Sequence, residues 1–130
     1  MRFMEIMIPG VYQPGRKIDP NFSPTPEQMD KMGKFNEELQ AKGAILALDG
    51  LHPLTKGARL SFASGKAQVT DGANTQAKEV VGGYWLLEAK SKDEVIDWFK
   101  RCPAEPGDVV EFRQVFEMSD LPAQAGRSAR

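Results

Sequence analysis

The hydrophobic pattern is strongest in residues 79–90, EVVGGYWLLEAK, where neither side of an extended chain is polar before Glu88. A strand at a protein surface alternates apolar and polar residues, whereas a strand covered on both faces is a continuous apolar run. The pattern therefore predicts a central strand with another layer packed on each face. The adjacent Gly82 and Gly83 indicate a bulge, a close approach by another backbone or a ligand, or simply room for Trp85.

Two capping-box sequences, SKDE at 91–94 and TPEQ at 25–28, predict the starts of two helices. Each start is followed by apolar residues at helical spacing, which predicts a stripe that lies on a sheet. The stripes are Val95, Trp98, Phe99 and Cys102 in the later helix, and Met29, Met32, Phe35 and Leu39 in the earlier one. Pro103 and Gly43 are the predicted stops. Methionines in such a stripe are more often adaptable core filler than a binding surface.

The other predicted elements are strands at 1–8, 44–51 and 109–116 and, between turn signals, a short hairpin at 58–70 attached to the main sheet. Residues 9–24 hold four of the nine prolines and predict a long irregular connection, which is either a lid or binding loop or a tolerated surface insertion. This order of elements is the split βαβ or ferredoxin-like arrangement, an α+β fold with both helices on one face of a mostly antiparallel sheet.

That arrangement leaves the second face of the sheet bare. An exposed Tyr or Trp there would forfeit roughly 1.5–3 kcal/mol of burial energy. We therefore predict a homodimer in which the two sheet faces pack together. Charged residues cannot be buried unpaired, so some of those assigned to this surface are expected to line a pocket on it. They are Glu5, Asp49, Glu111 and Arg113.

Composition narrows the classes of function. The 130 residues predict one domain at 1–116 and a polar tail at 117–130. A net charge of −1, from 17 basic and 18 acidic residues without a block of either sign, argues against nucleic-acid and membrane partners. The apolar runs are too short to span a bilayer, so a cytoplasmic protein is expected. One Cys and one His make a metal site improbable, and no nucleotide fingerprint indicates a cofactor. Cys102 is expected to act as a small hydrophobe.

Several runs, in order along the chain, resemble the YCII-related proteins of the DGPF subgroup. They are KFNEELQAKG (34–43), GLHP (50–53), GAR (57–59), TDG (70–72), KE (78–79), GGYW (82–85), SKDE (91–94) and RCP (101–103). The resemblance implies a bacterial, cytoplasmic, dimeric α/β barrel of ferredoxin-like protomers, with an acid and a His as a suspected catalytic pair in some relatives. Where the subgroup has DGPFAETKE, this chain has DGANTQAKE at 71–79, without the Pro-Phe pair and the middle Glu. That departure indicates an altered or lost ligand specificity.

Asp71 and His52 are the candidate catalytic residues. A His near an acid can serve as a general base, and Asp71 would place a carboxylate at the mouth of a cleft. Each has a structural alternative, because Asp71 can cap its own turn and His52 lies in a loop before a proline. Asp49 precedes His52 by three residues, but the two point to opposite faces if the strand is regular.

Five further residues are candidate ligand contacts: Lys78, Glu79, Asp49, Arg113 and Tyr84. For Arg113 the alternative is a cross-strand ion pair with Glu5 or Glu111. The sequence thus supports two hypotheses. The first is a protein that binds an unidentified small molecule in a cleft, with or without acid/base catalysis. The second is a non-catalytic dimeric interaction or accessory module with a vestigial pocket.

Overall fold

A computed structural model describes residues 1–12, 23–72 and 79–122. Its strands and α-helices, in chain order, are β1 (Arg2–Ile8), α1 (Pro26–Ala41), β2 (Ile45–Gly50), β3 (Ala58–Ser61), β4 (Gln68–Asp71), β5 (Gly83–Glu88), α2 (Lys92–Phe99) and β6 (Val109–Gln114). The main sheet has the order β2-β5-β1-β6 and every neighbouring pair is antiparallel. The predicted α+β architecture of ferredoxin-like type is confirmed. Residues 73–78, which include Lys78 and most of the DGPF-like segment, lie outside the described residues.

Both helices begin where their capping sequences predict. The Thr25 hydroxyl accepts from the Gln28 amide at 3.1 Å, and the Gln28 side chain accepts from the Thr25 amide at 2.9 Å. Ser91 likewise accepts from the Glu94 amide at 3.2 Å. The Glu94 carboxylate, however, reaches back one residue further than predicted and accepts from the Lys90 amide.

The core lies between the sheet and the two helices. Trp85 and Leu87 on β5 are buried on this side, together with Val95 of α2 and Leu39 of α1. The Trp85 ring packs edge-on against Phe99, with ring centroids 5.1 Å apart. The predicted helical cover on one face of the central strand is therefore confirmed.

Glu5 is on this core side, which corrects its predicted place on the bare face. It lies opposite Trp85 in the register of β1 with β5, and only 1% of it is exposed. Apart from its charged residues, β1 is apolar on both sides. The sequence alternation therefore separated the two sides of the strand but did not show which side the helices cover. Arg113 lies opposite Met4, on the other face, so the predicted Glu5–Arg113 pair is excluded.

One predicted boundary also changes. The central strand begins at Gly83 and not at Glu79, although the Gly82 amide still donates to the Met7 carbonyl at 2.8 Å. A Cβ at Gly82 would overlap the Pro9 ring, and a Cβ at Gly83 would lie 3.1 Å from the Asp49 carbonyl oxygen. The two glycines therefore permit close approach by neighbouring segments of the chain.

The second face of the sheet is only partly covered in a single chain. Met4, Ile6, Tyr84 and Leu86 on this face are half-buried, while Glu111 and Arg113 are exposed. Among the described residues, Arg113 takes part in no ion pair within 4.0 Å, so the predicted pair with Glu111 is also absent. No described helix is long and apolar enough to cross a membrane.

The predicted hairpin forms as β3 and β4, but its predicted attachment to the main sheet is wrong, because the two strands pair only with each other in a separate two-stranded sheet. All its strand residues are exposed. Its foot is fixed by Gly72, whose amide donates to the Gly57 carbonyl at 2.8 Å. A Cβ at Gly72 would overlap the Leu54 carbonyl oxygen, so only glycine fits this contact.

Candidate functional site

A cavity of about 650 Å³ lies at the end of the sheet where β1 and β2 finish and β5 begins. This volume is in the range of small-molecule sites. One wall comes from the sheet end, with Met7 and Trp85, and the facing wall from α1, with Met29, Met32 and Gly33. The lining is largely apolar, and no atom lies within 4 Å of the position that a Cβ on Gly33 would take. The cavity thus suits an apolar body of aromatic size.

Burial of Tyr12 shapes the floor of the cavity. Tyr12 ends a single 3-10 turn, Gly10–Tyr12, and is 6% exposed. Its hydroxyl donates to the Leu51 carbonyl at 3.1 Å, and burial raises the pKa of its phenol. The turn is held from the other side, because the Gly10 amide donates to Asp108 at 2.9 Å. The ends of β1, β2 and β6 are thereby tied together around the cavity.

At the sheet end, the cavity borders a hydrogen-bonded pair on adjacent strands, Tyr84 and Asp49, whose side chains the strand register places on the second sheet face. The Tyr84 hydroxyl donates to Asp49 Oδ2 at 2.6 Å, a short charge-assisted bond. This hydrogen bond, together with burial and the nearby negative charge, raises the pKa of Tyr84. The phenol therefore keeps its proton at neutral pH and leaves other Asp49 lone pairs for a ligand. His52, in the loop after β2, lines the same cavity.

A second hollow of about 500 Å³ lies at the foot of the hairpin. It shares Leu51 and His52 with the first cavity, so the two adjoin along this loop. Its remaining lining includes the charged residues Lys56, Arg59 and Glu79.

The structure brings some of the predicted site residues together. Asp49, Tyr84 and His52 share the first cavity, and His52 and Glu79 share the second. Asp71 lies at the end of β4 opposite Ala58 and lines neither hollow.

The other predicted candidates contribute less. Arg113 is on the second sheet face, away from both hollows. The part of the chain that the structure describes holds no group of three His, Cys, Asp or Glu side chains able to bind a metal ion. Cys102 packs against the core, and burial, with the carboxylates of Glu5 and Asp108 nearby, raises its pKa to about 12. Its expected role as a small hydrophobe fits this environment.

Sequence reasoning missed part of the lining. Met29 was predicted as core but is 59% exposed and lines the cavity. Tyr12, Lys56 and Arg59 were not singled out. Tyr12 lies in the proline-rich segment 9–24, for which a binding loop was one of the two interpretations. No local pattern marked Lys56 and Arg59.

The strand order, the helices on one face and the cavity at the sheet end define an α+β protein of the ferredoxin-like class. The YCII-related domain model matches residues 4–119, so the chain belongs to the YCII-related family. Among solved structures, the chain is similar to the 5-chloro-2-hydroxyhydroquinone dehydrochlorinase of Burkholderia phenoliruptrix AC1100 in complex with 2,5-dihydroxybenzoquinone. The identity is 20%, the coverage 92% of this chain and 99% of that one, and the TM-score 0.39. No curated protein matches the chain.

Proposed function

We propose that this protein is a homodimeric, small-molecule-binding member of the DGPF subgroup, built as a dimeric α/β barrel and capable of acid/base chemistry. The observation that carries the proposal is the cavity of about 650 Å³, which joins apolar walls to the hydrogen-bonded Tyr84–Asp49 pair. Mostly apolar pockets with a few convergent polar groups are the usual form of small-molecule sites.

The polar groups suit proton transfer on an apolar ligand. Asp49 would accept a proton from a ligand hydroxyl or an acidic carbon, and Tyr84 would hold the carboxylate in place through their bond. The raised pKa of Tyr84 keeps the phenol available as a donor. His52 also lines the cavity and would complete an acid/base pair with Asp49.

The dimer in this proposal forms through the second sheet face. Its half-buried side chains Met4, Ile6 and Leu86 form an apolar strip across the two neighbouring strands β1 and β5, with Tyr84 at the end of the strip beside the cavity. A stable interface needs about 800 Å² from each partner, which a four-stranded sheet face can supply. Leu86→Lys places a charge in the strip and should give a single-chain mass by light scattering at micromolar concentration. Gln40→Lys, which adds the same charge on exposed α1, should leave the dimer intact. A wild type that already has a single-chain mass would refute the dimer.

Ligand binding is tested by filling the cavity from Gly33. With 2-naphthol as a neutral aromatic probe, the melting temperature of the wild type should rise with probe concentration, as mass action requires. Gly33→Ala adds one methyl group and should keep this rise, whereas Gly33→Leu projects into the space and should abolish it. Glu37→Leu, one turn further along α1 on its exposed side, controls for added apolar surface. Equal shifts in all four proteins would show that the probe binds elsewhere.

The hairpin supports a second candidate, a non-catalytic interaction module. Leu60, Phe62 and Val69 are 56%, 63% and 69% exposed on the hairpin, which forms its own two-stranded sheet. Such a cluster is typical of protein contacts. A folded dimer that binds no small probe, and whose Asp49→Asn and His52→Ala variants match the wild type in stability, would favour this module over the pocket.

A further inference from the structure

The second hollow has an excess of positive charge. Lys56 and Arg59 face one acidic residue, Glu79, across a space of about 500 Å³. Neither cation forms an ion pair within 4.0 Å among the residues that the structure describes, and both are exposed. Their donors are thus available to an anion, and Arg in particular presents a planar fork that fits a carboxylate or phosphate.

The backbone holds these two cations on a fixed base. Lys56 ends the 3-10 turn Leu54–Lys56, and its amide donates to the Pro53 carbonyl at 3.0 Å. Arg59 is on β3 and pairs with Thr70 across the hairpin. The buried Gly72 joins turn and hairpin through its bond to Gly57. The spacing between the backbone positions of Lys56 and Arg59 is therefore set by the turn and the hairpin.

The shared loop places this charged hollow beside the apolar cavity. Leu51 and His52 line both spaces. Among the residues that the structure describes, the lining of the first cavity includes carboxylates, two phenols, His52 and apolar side chains but no Lys or Arg that could bind an acidic ligand. The second hollow has two.

We infer that the second hollow is an anion subsite of the ligand-binding cavity, which accepts a carboxylate or phosphate group on Arg59 and Lys56 while the apolar body of the same molecule lies against Trp85 and the methionines. This inference rests on the proposed function and gives the ligand class, a small aromatic or alicyclic acid or phosphate ester. His52 lines both hollows and therefore lies where the two parts of the ligand would join.

Three probes that share a naphthalene ring and carry either a neutral or an anionic group test the inference. 2-Naphthoate and 2-naphthyl phosphate should bind the wild type at least tenfold more tightly than neutral 2-naphthol in low salt, since charged hydrogen bonds of this kind contribute a factor of ten or more. The preference should fall several-fold in high salt because both cations are exposed. The ratio of the two anions distinguishes a carboxylate ligand from a phosphate ligand.

Three variants locate the preference. Arg59→Gln with Lys56→Gln should bind 2-naphthol as the wild type does and lose the tenfold advantage of the anions. Lys66→Gln removes one charge from the exposed hairpin turn and should keep that advantage. Circular dichroism and the melting temperature verify that each variant is folded. An unchanged anion preference in the double variant, or no preference in the wild type, overturns the subsite and leaves the apolar cavity standing.

Failure of the proposed function gives a different result. If none of the naphthalene probes binds the wild type, the apolar cavity is not a ligand site. Inorganic phosphate alone then decides the subsite. A rise in melting temperature with phosphate that Arg59→Gln with Lys56→Gln abolishes supports it, and an equal response of both proteins refutes it.

Discussion

Glu5 makes the stability of this protein depend on pH in an unusual direction. Its side chain is 1% exposed, and its Oε2 atom has no hydrogen-bond partner among the described residues. Burial raises the pKa of Glu5 from 4.5 to about 8. An acid whose pKa is higher in the folded state takes up a proton on folding. Its contribution to stability is therefore fully present below about pH 4.5 and is lost as the pH rises through about 8.

The size of the effect follows from the two pKa values. The two pKa values differ by about 3.5. At about 1.4 kcal/mol per pH unit, the largest possible loss in the free energy of unfolding is about 5 kcal/mol. Relative to acidic pH, the free energy of unfolding should be lower by about 2 kcal/mol at pH 6 and by about 5 kcal/mol at pH 9. A domain with 5–15 kcal/mol of stability would lose a substantial part of it over this range.

Urea denaturation from pH 5 to pH 9, at one fixed protein concentration, measures this dependence. Glu5→Gln keeps the shape of the side chain without the charge, and its stability should be almost flat from pH 6 to pH 9. Glu5→Met should be more stable than wild type throughout, because it removes an unpaired polar group. Glu111→Gln, on the exposed face of the same sheet, should keep the wild-type slope. If Glu5→Gln retains that slope too, or is destabilised equally at every pH, the carboxylate has a partner and the reasoning fails.

Three further substitutions test local geometry by the same urea assay. Gly72→Ala should destabilise by about 2–3 kcal/mol, since its methyl group overlaps the Leu54 carbonyl, and a neutral effect would contradict the close approach. Gly33→Ala, where the added methyl meets open space, should instead stabilise by about 0.5–1 kcal/mol through helix propensity. Thr25→Ala should cost about 1 kcal/mol by removing the cap on Gln28, and a loss below about 0.3 kcal/mol would mean that water replaces the cap.

Elements with a complete local signal could be predicted from sequence. The capping residues Thr25 and Ser91 act within four residues of themselves, so the helix starts are encoded locally. The apolar run around Trp85 likewise predicted a strand that is buried on the helix side. The first residue of that strand could not be predicted, because Pro9, some seventy residues earlier in the sequence, packs against Gly82 just before the strand begins.

The site depends almost entirely on contacts between distant segments. Tyr12 reaches Leu51 across 39 positions, and Tyr84 reaches Asp49 across 35. Asp49 and Tyr84 were each predicted as candidates, but only the register of β2 with β5 shows that they are neighbours. His52 was compared with Asp49 as if β2 continued regularly, and this comparison placed the two residues on opposite faces. In the structure β2 ends at Gly50, and His52 lies in the loop that follows. The loop that ends the strand is therefore what brings His52 to the same cavity as Asp49, and it also joins that cavity to the cations at the foot of the hairpin.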